Sequence, residues 1–295
     1  MQTVCLSLFR VDSVFDRVWV IFQMALSRFT LMSTPDLSFW KLMGSGTGEG
    51  FKPTPNTKVW GIVTVWPDEE TARKHIEGDF LFNNWRSHAN ESITFYMRPI
   101  AARGKWGGKV AFKPVEGDDA SQGPLAAWTR AQVKFRHAAD FWQRVPVIDK
   151  MIGADKNVIF KLGLGETPLF FQMTFSIWPD RKTMDAFARG ETPHGQAIRS
   201  AYDDKWFVED MYARLRVLDA VGTWNGVNPV ADLIPAKPAA AAPAAPAPKP
   251  EPKPAAAAPA PAPKPTPAPT PAPKAKAAPA KPAAKSAARS AKKTN

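Results

Sequence analysis

The segment from Phe170 to Phe207, FFQMTFSIWPDRKTMDAFARGETPHGQAIRSAYDDKWF, predicts a strand, a helix, a turn and a second helix. The first helix is expected to begin at Arg181 and to end at Gly190. Thr192 suits the N-cap of the second helix, and Pro193 suits its first position. The order of these elements is the basis of the fold prediction, because the same plan occurs earlier in the chain.

The earlier copy is VWGIVTVWPDEETARKHIEG, in which Trp66-Pro67-Asp68 corresponds to Trp178-Pro179-Asp180. Three further blocks match in the same order. They are FWKLMGSG from Phe39 with IFKLGLGE from Ile159, Gly104-Lys105-Trp106-Gly107 with Gly222-Thr223-Trp224-Asn225-Gly226, and Phe9, Arg10 and Phe15 with Phe135, Arg136 and Phe141. A period this long indicates a duplicated domain and is too long for a solenoid repeat.

Each copy predicts the element order β-α-β-β-α-β, which is the ferredoxin-like plan. The predicted strands are Thr3–Phe9, Phe39–Met43, Val59–Trp66 and Ile93–Ile100, then Ala131–Phe135, Val158–Leu162, Phe170–Trp178 and Met211–Leu218. The helices of each copy should cover one face of its sheet, and the two remaining sheet faces can cover each other. We therefore expect an α+β fold of two ferredoxin-like repeats, packed as a pseudo-twofold sandwich or barrel.

The predicted domains are a first repeat over residues 1–108, a linker over 109–125, a second repeat over 126–228 and a tail over 229–295. From Ala236 onward the tail contains ten Lys, one Arg and one Glu, which leaves about +2 of the formal charge of +12 for the rest of the chain. A segment of Ala, Pro and Lys without aromatic residues cannot bury a core and is predicted to be disordered. We expect it to be a solubilising extension, without a specific nucleic-acid partner.

Cysteine usage and hydropathy suggest a compartment. The single cysteine, Cys5, excludes an internal disulfide and fits a reducing environment. The opening residues, MQTVCLSLFR, lack the basic start and apolar run of a signal peptide. The apolar run Val18–Leu26 is far shorter than a membrane span. The sequence therefore predicts a cytoplasmic protein with possible peripheral contact at the inner membrane.

His194 is the candidate metal ligand, at the second position of a predicted helix. Ala197, Ile198 and Ala201 share its face, so the imidazole is expected to point inward with an apolar stripe. A helix N-terminus favours the neutral imidazole that binds metals. Counted from the glycine that ends the preceding helix, the matching position in the first copy is Phe82. Two interpretations stay open at this point: His194 binds a metal, or it caps its helix.

The other three histidines offer few alternatives. His75 is the second candidate ligand, although its place on a buried helical stripe is also typical of a hydrogen-bonded core histidine. His88 and His137 lie near element ends in polar surroundings and are expected at the surface. No two potential ligands have the spacing of a metal motif. A cofactor that brings its own ligands, such as haem, needs only one protein histidine.

The glycine run Gly44–Gly50 follows a predicted strand, as nucleotide-binding loops do. The residues after it, Phe51-Lys52-Pro53-Thr54-Pro55, cannot open the helix that dinucleotide and P-loop sites require. We therefore reject nucleotide binding and interpret the run as a flexible connection or a lid over a pocket.

A series of longer stretches carries a resemblance to a known family. They are FWKLMGSGTGEGF (39–51), PNTKVW (55–60), PLAAWTRA (124–131), FWQRVP (141–146), FKLGLGE (160–166), QMTFSIWPD (172–180), PHGQAIR (193–199), MYARL (211–215) and GTW (222–224). With them the chain resembles the spheroidene monooxygenase family of carotenoid biosynthesis in phototrophic bacteria. The resemblance runs through nearly all of residues 1–228 and does not include the tail.

The resemblance implies a haem-containing, ferredoxin-dependent monooxygenase that uses molecular oxygen. Its substrates would be acyclic carotenoids such as spheroidene, hydroxylated at C-2. A second hydroxylation at that carbon would give a geminal diol, which loses water to leave the 2-ketone. The match at Pro193-His194 supports His194 as the axial iron ligand. Arg199 and Arg214 are the candidate partners of the haem propionates, and no catalytic side chain is assigned.

Three alternatives belong to other classes. One is a noncatalytic α+β sandwich protein that binds haem or a pigment, and absent turnover with oxygen and a reductant would favour it. Another is a cofactor-free oxygenase, which is chemically harder for an unactivated carbon. The third is a nucleic-acid binder that acts through its basic tail, which full activity without the tail would exclude.

Overall fold

The computed structural model describes residues 1–48, 54–115, 117, 123–138, 140, 143, 155–167, 171–189 and 206–234. All of them belong to one compact unit, Met1–Pro243. The strands are β1 (Thr3–Arg10), β2 (Phe39–Gly46), β3 (Pro55–Trp66), β4 (Glu91–Gly104), β5 (Leu125–Val133), β6 (Phe160–Thr167), β7 (Phe171–Trp178) and β8 (Phe207–Gly222). The helices are α1 (Val14–Ser33), α2 (Glu69–Gly78), α3 (Phe80–His88) and α4 (Arg181–Arg189), with a 3-10 turn at Phe135–His137.

The strands form one closed antiparallel barrel in the order β1-β3-β2-β6-β7-β5-β8-β4. Within the first half the order is β4-β1-β3-β2, and within the second half it is β8-β5-β7-β6. The pairs β2–β6 and β4–β8 join the halves. Of the two predicted arrangements, sandwich or barrel, the barrel is therefore confirmed. The finer prediction of two ferredoxin-like repeats stays a prediction, because residues 190–205 of the second half lie outside the described part.

The Trp-Pro-Asp blocks are equivalent in three dimensions as well as in sequence. Nε1 of Trp66 donates to Oγ1 of Thr64, and Nε1 of Trp178 donates to Oγ of Ser176, both at 2.9 Å. The aspartate of each block then caps the next helix by accepting a backbone N–H at 2.8 Å. These N–H donors hold the pKa of Asp68 and of Asp180 below its usual range. The junctions between β3 and α2 and between β7 and α4 therefore follow directly from the sequence.

Two of the predicted alignments between the halves are wrong. Thr3 pairs with Trp66 and Leu125 pairs with Trp178, so the structural equivalent of Thr3 is Leu125. The match of Phe9 with Phe135 is four residues away from this register, and the strand predicted at Ala131–Phe135 is in fact Leu125–Val133. The aromatic pair misled the alignment because Phe135 begins the 3-10 turn and is exposed.

The second wrong alignment is a slip of one residue. Phe39 pairs with Val65 and Phe160 pairs with Ile177, so Phe39 corresponds to Phe160 and not to Ile159. In a strand, one residue of slip moves every side chain to the opposite face of the sheet. The corrected register therefore changes which residues of the two halves are structurally equivalent.

Several elements are longer than predicted. Helix α1 reaches Ser33, with Ser13 as its N-cap. Strand β2 continues through the first glycines to Gly46, with an irregularity between Gly44 and Ser45. In the segment assigned to the tail, Val230 is buried in the barrel core. The tail from residue 235 lies outside the described residues.

Two apolar cores result from the alternation of side chains along the strands. The inner core fills the barrel with residues from both halves, among them Phe95, Trp128, Phe160 and Phe175. The outer core lies between the first-half strands and α1–α3, around Trp66 and neighbouring residues. No helix in the described part of the chain has the length and apolar character needed to cross a membrane.

A tight turn follows the last strand of each half. Trp106 bridges to Lys109, and Trp224 bridges to Val227. Each turn is entered through a glycine with positive φ, Gly104 at +82° and Gly222 at +102°. A Cβ atom at these glycines would lie 2.1 Å and 2.2 Å from a backbone oxygen of the partner strand. The predicted match between Gly104 and Gly222 is confirmed, and the close backbone approach explains both glycines.

We expect Gly104→Ala and Gly222→Ala each to destabilise the fold by about 3 kcal/mol or more, because left-handed backbone strain adds to a backbone clash. Gly108→Ala is the matched control, since Gly108 also has a positive φ but open space around its Cα. It should cost about 1 kcal/mol. Urea unfolding followed by circular dichroism measures all three, and equal losses would contradict the role of the clash.

Candidate functional site

The inside of the barrel is packed core and offers no room for a substrate. Phe175 lies 5.2 Å from Trp128, 5.6 Å from Phe95 and 6.0 Å from Phe160, measured between ring centroids. Aromatic rings at these separations are in contact. Candidate sites must therefore lie at the ends of the barrel or on its outer faces.

One end holds a buried ionic cluster around Arg130, which is 1% exposed. Its Nε donates to Oε1 of Glu166 at 3.2 Å, and its Nη1 donates to Oε1 of Glu209 at 2.6 Å. Glu166 also accepts from Nζ of Lys41 and from Nε1 of Trp106, both at 2.6 Å. Because both carboxylates are paired, we assign this cluster a structural role. It connects β5, β6 and β8 with the turn at Trp106.

Glu209 also ties the Trp106 turn to β8. Its two carboxylate oxygens accept the backbone N–H groups of Gly107 and Gly108, each at 2.7 Å. Burial by itself raises the pKa of Glu209, but these two N–H groups and Arg130 outweigh it, so the pKa lies below its ordinary value. Glu91 plays the same part at the other turn, where it accepts from Gly226 N at 2.7 Å.

The outer face of the first half is filled. Cys5, Phe9, Leu42 and Ile62 pack under the helices in the outer core. Tyr96 completes this face: its hydroxyl donates to Oε1 of Glu77 at 3.2 Å. Its ring lies 4.3 Å below the guanidinium of Arg73, which is itself paired with Glu69, Glu77 and Asp219. The described side chains of this face pack against one another.

The strand registers identify the equivalent positions in the second half. Leu42 pairs with Ile62 as Gly163 pairs with Thr174, and Cys5 pairs with Tyr96 as Ala127 pairs with Arg214. The five pairs of positions, first half then second, are Cys5 and Ala127, Phe9 and Ala131, Leu42 and Gly163, Ile62 and Thr174, and Tyr96 and Arg214. At four of the five positions the second half carries a smaller side chain, whereas Trp66 of the outer core is kept as Trp178.

Arg214 is the one large side chain in this set. It alternates along β8 with Ala213 and Leu215, which face the inner core, and therefore points to the outer face. Its Nε and Nη1 are buried and have no hydrogen-bond partner among the described residues. A buried cationic group without partners is costly, and such groups normally pair with an anion. We call the surface formed by Ala127, Ala131, Gly163, Thr174 and Arg214 the recessed face.

At four of its five positions the recessed face carries a smaller side chain than the filled face of the first half, so it is less bulky. The small side chains form an apolar, flat floor, and Arg214 adds a positive charge at its side. This combination fits a flat, mostly apolar ligand that carries a carboxylate. Trp178 and Phe187, whose ring centroids are 5.1 Å apart, border the same side of the barrel under α4.

The predicted site residues have different outcomes. Arg214 lies at the recessed face, although the prediction had no geometric basis for it. His194 and Arg199 lie outside the described residues, and both stay predictions. The described residues contain no group of three His, Cys, Asp or Glu side chains that could hold a metal ion.

The other histidines are satisfied by neighbours. His75 stacks on Trp66 at 4.7 Å, and its Nδ1 lies 2.7 Å from Oδ2 of Asp79, as expected for a core histidine. His88 stacks on Trp19 at 3.8 Å and is therefore less exposed than predicted. His137 stacks on Trp206 at 5.5 Å.

Sequence reasoning missed the recessed face and the Arg130 cluster. The exchange of Leu42 for Gly163 is visible in the two matched segments once the slip of one residue is corrected. The cluster had no sequence signal, because Arg130, Glu166 and Glu209 come from three strands that only the barrel brings together.

Comparison with known proteins gives close relatives. A spheroidene monooxygenase of Cereibacter sphaeroides is 47% identical over 242 residues, which cover 82% of this chain and 74% of that protein. That of Rhodobacter capsulatus is 47% identical over 235 residues, covering 79% and 98%. That of Rubrivivax gelatinosus is 31% identical over 211 residues, covering 71% and 80%. No family model matches the chain.

Among solved structures, an aldoxime dehydratase matches with a TM-score of 0.53 and 11% identity, over 75% of this chain and 84% of that one. An aldoxime dehydratase in complex with butyraldoxime also has a TM-score of 0.53, with 9% identity over 74% and 80% of the two chains. At this level of identity the similarity shows a shared fold and nothing more.

The first prediction concerns Arg214. In the ligand-free protein, Arg214→Met should leave stability unchanged or raise it by up to about 2 kcal/mol, because it removes two buried donors that have no partner among the described residues. Arg73→Met, at the paired arginine of the first half, should cost about 1–3 kcal/mol. Urea unfolding of both variants measures the difference. A clear loss for Arg214→Met would show that the guanidinium has a stabilising partner within the protein.

The second prediction concerns Glu209. Since its folded pKa is below its unfolded pKa, its contribution is present above about pH 4–5 and is lost as the pH falls through the folded pKa. Glu209→Gln should therefore cost about 1–3 kcal/mol at pH 7, and the difference from wild type should shrink below about pH 4. Exposed Glu70→Gln is the control. A pH-independent difference in unfolding free energy would contradict this role.

Proposed function

The chain belongs to the spheroidene monooxygenase family, and on that premise we propose that it is a monooxygenase that oxidises an acyclic carotenoid such as spheroidene. The observation that supports a site for this chemistry is the recessed face of the second half. There, small residues replace the core of the first half around the guanidinium of Arg214. A binding site confined to one half needs space in that half only, and the filled face and the recessed face differ in this way.

The proposed reaction is hydroxylation at C-2, carried out twice. In each round, one atom of molecular oxygen enters a C–H bond and the other is reduced to water by two electrons and two protons. The second round gives a geminal diol, which loses water to leave the 2-ketone. A ferredoxin is the proposed donor, and it would deliver the electrons singly.

Haem is the proposed cofactor, and the recessed face fits it in two respects. The unpartnered Nε and Nη1 of Arg214 suit a propionate, because a guanidinium binds a carboxylate through charge-assisted hydrogen bonds. The floor of Ala127, Ala131 and Gly163 suits a flat ring, because these residues present almost no side-chain bulk. Bound haem would supply the activation of oxygen.

The protein's own residues would bind and orient. His194 would bind the haem iron, and Arg199 would be a second propionate partner. Arg214 would fix the position of the haem propionate, because its own backbone is paired with β4 on one side and with β5 on the other. The apolar floor would exclude water from the reacting carbon. The Arg130 cluster lies on the inner side of the same strands and would keep that floor rigid.

The test of the cofactor is an absorption spectrum of the purified protein after haem addition, reduced and with carbon monoxide. Wild type should show a Soret band, and His194→Ala should lose it or change its character. Arg214→Met should keep the band but bind haem about 10–100-fold more weakly, as expected for one lost charge-assisted contact. Arg73→Met, on the filled face, is the matched control and should bind haem as wild type does.

The contradicting outcomes are distinct. An unchanged band in His194→Ala would move the ligand to another residue. No band in wild type would favour a cofactor-free oxygenase.

Turnover separates the enzyme from a binding protein. With spheroidene in detergent, reduced ferredoxin and isotopically labelled oxygen gas, the hydroxylated product should carry the label. Haem or pigment binding without any turnover would instead support a noncatalytic carrier on the same fold.

A further inference from the structure

The outward side of α1 is apolar over its whole length. Eight large apolar side chains of this helix are between 48% and 90% exposed, and they are half of all such side chains in the described residues. They are Val14, Phe15, Val18, Ile21, Phe22, Leu26, Phe29 and Met32. A contiguous apolar surface of this kind marks a site of interaction with a protein or a membrane.

The opposite side of α1 is firmly attached to the barrel. Val20 and Leu31 are buried in the outer core. Ser27 is buried as well, and its hydroxyl accepts a hydrogen bond from Nε1 of Trp85 at 3.0 Å. At the start of the helix, Asp16 lies 2.8 Å from Nδ1 of His88. The helix is therefore fixed in this orientation, and the exposed apolar side is its outer surface.

The geometry of this surface favours lipid over a partner helix. At about 100° per residue, the eight side chains span an arc of roughly 140° on a helix about 30 Å long. A helical partner covers a narrower seam than this, whereas a bilayer covers a broad convex face. The protein-facing side of the helix is mixed, with Val20 and Leu31 beside the polar residues Gln23 and Ser27, so the broadest apolar surface of the helix faces outward.

The charges bordering this surface are basic. Arg17 and Arg28 lie on the same edge of the arc, and in the described residues each donates to backbone carbonyls of its own neighbourhood instead of to a carboxylate. The acidic residue of the helix, Asp16, lies away from the arc beside His88. A basic border around an apolar face is typical of helices that bind anionic membrane surfaces.

We propose that α1 docks the protein on the surface of an anionic phospholipid bilayer, with its apolar side chains inserted among the acyl chains near the headgroups. This inference rests on the proposed function, because an acyclic carotenoid dissolves in the bilayer and has to be taken from it. The basic segment from Ala236 onward supplies a second attraction to the anionic surface. Two such signals together give stable peripheral binding where one alone gives weak binding.

The test is flotation of the full chain with vesicles of phosphatidylcholine and phosphatidylglycerol. Wild type should float with the vesicles, and Phe22→Glu/Phe29→Glu should partition at least about 100-fold more weakly, since two inserted phenyl groups are replaced by charges. Val110→Glu/Val227→Glu is the matched control, with the same charge change on exposed valines away from α1, and should float as wild type does.

A second readout locates the contact. Phe22→Cys is labelled with an environment-sensitive fluorophore, and Val227→Cys serves as the control site. The native Cys5 should not react, because it is fully buried and burial raises the pKa of its thiol. Vesicles should shift the emission of the label at position 22 to the blue and leave that at position 227 unchanged.

Three outcomes would overturn the proposal. Equal flotation of Phe22→Glu/Phe29→Glu and wild type, lost only when residues 235–295 are removed, would assign binding to the tail. A dimer in sedimentation velocity that Phe22→Glu/Phe29→Glu dissociates, without vesicle binding by wild type, would identify a second copy as the occupant. An unresponsive label at position 22 would exclude insertion of α1.

The activity assay keeps this proposal separate from the proposed function. Phe22→Glu/Phe29→Glu should oxidise detergent-solubilised spheroidene as wild type does and lose most activity when spheroidene is supplied in vesicles. Absent turnover in detergent with intact vesicle binding would refute the proposed function and leave the docking of α1 standing.

Discussion

Closure of the sheet is the constraint on which the rest of this structure depends. Eight antiparallel strands in a ring leave no free edge, and their inward side chains must fill a space of fixed size. Both halves fill it with large aromatic and aliphatic residues, and turns at Trp106 and Trp224 complete the core. A ligand is therefore expected to bind at an end of the barrel or on one of its two outer faces.

The two outer faces have diverged in a consistent direction. In the first half, large side chains and a neutralised network around Arg73 make a core of ordinary density. In the second half, the same positions carry Ala, Gly and Thr beside Arg214, whose buried Nε and Nη1 have no partner in the described part of the chain. The duplication reveals this difference in side-chain size, because the first half shows which residue occupies each position when it only supports the fold. The departures then identify the positions released for binding.

The functional surfaces are divided between the halves. Helix α1 belongs to the filled half and turns its apolar side outward, so that half supplies an attachment surface and a rigid support. The recessed face belongs to the other half, where the strands are held from inside by Arg130 and its two glutamates. Such a division lets binding residues vary without loss of the barrel, since the inner core and the recessed face use alternate residues of the same strands.

The sequence by itself determined the duplication, the strand-to-helix junctions at Trp66-Pro67-Asp68 and Trp178-Pro179-Asp180, the glycines at the end turns, and the family. These are local signals, in which a capping aspartate or a positive-φ glycine is required by its own neighbours. Local signals did not determine the register between the halves. The match of Phe9 with Phe135 was wrong by four residues, and the match of Phe39 with Ile159 was wrong by one. Only the tertiary structure decided that register, because pairing across the barrel sets which side of each strand faces inward. For the same reason it alone revealed the Arg130 cluster, the recessed face beside Arg214 and the outward apolar side of α1.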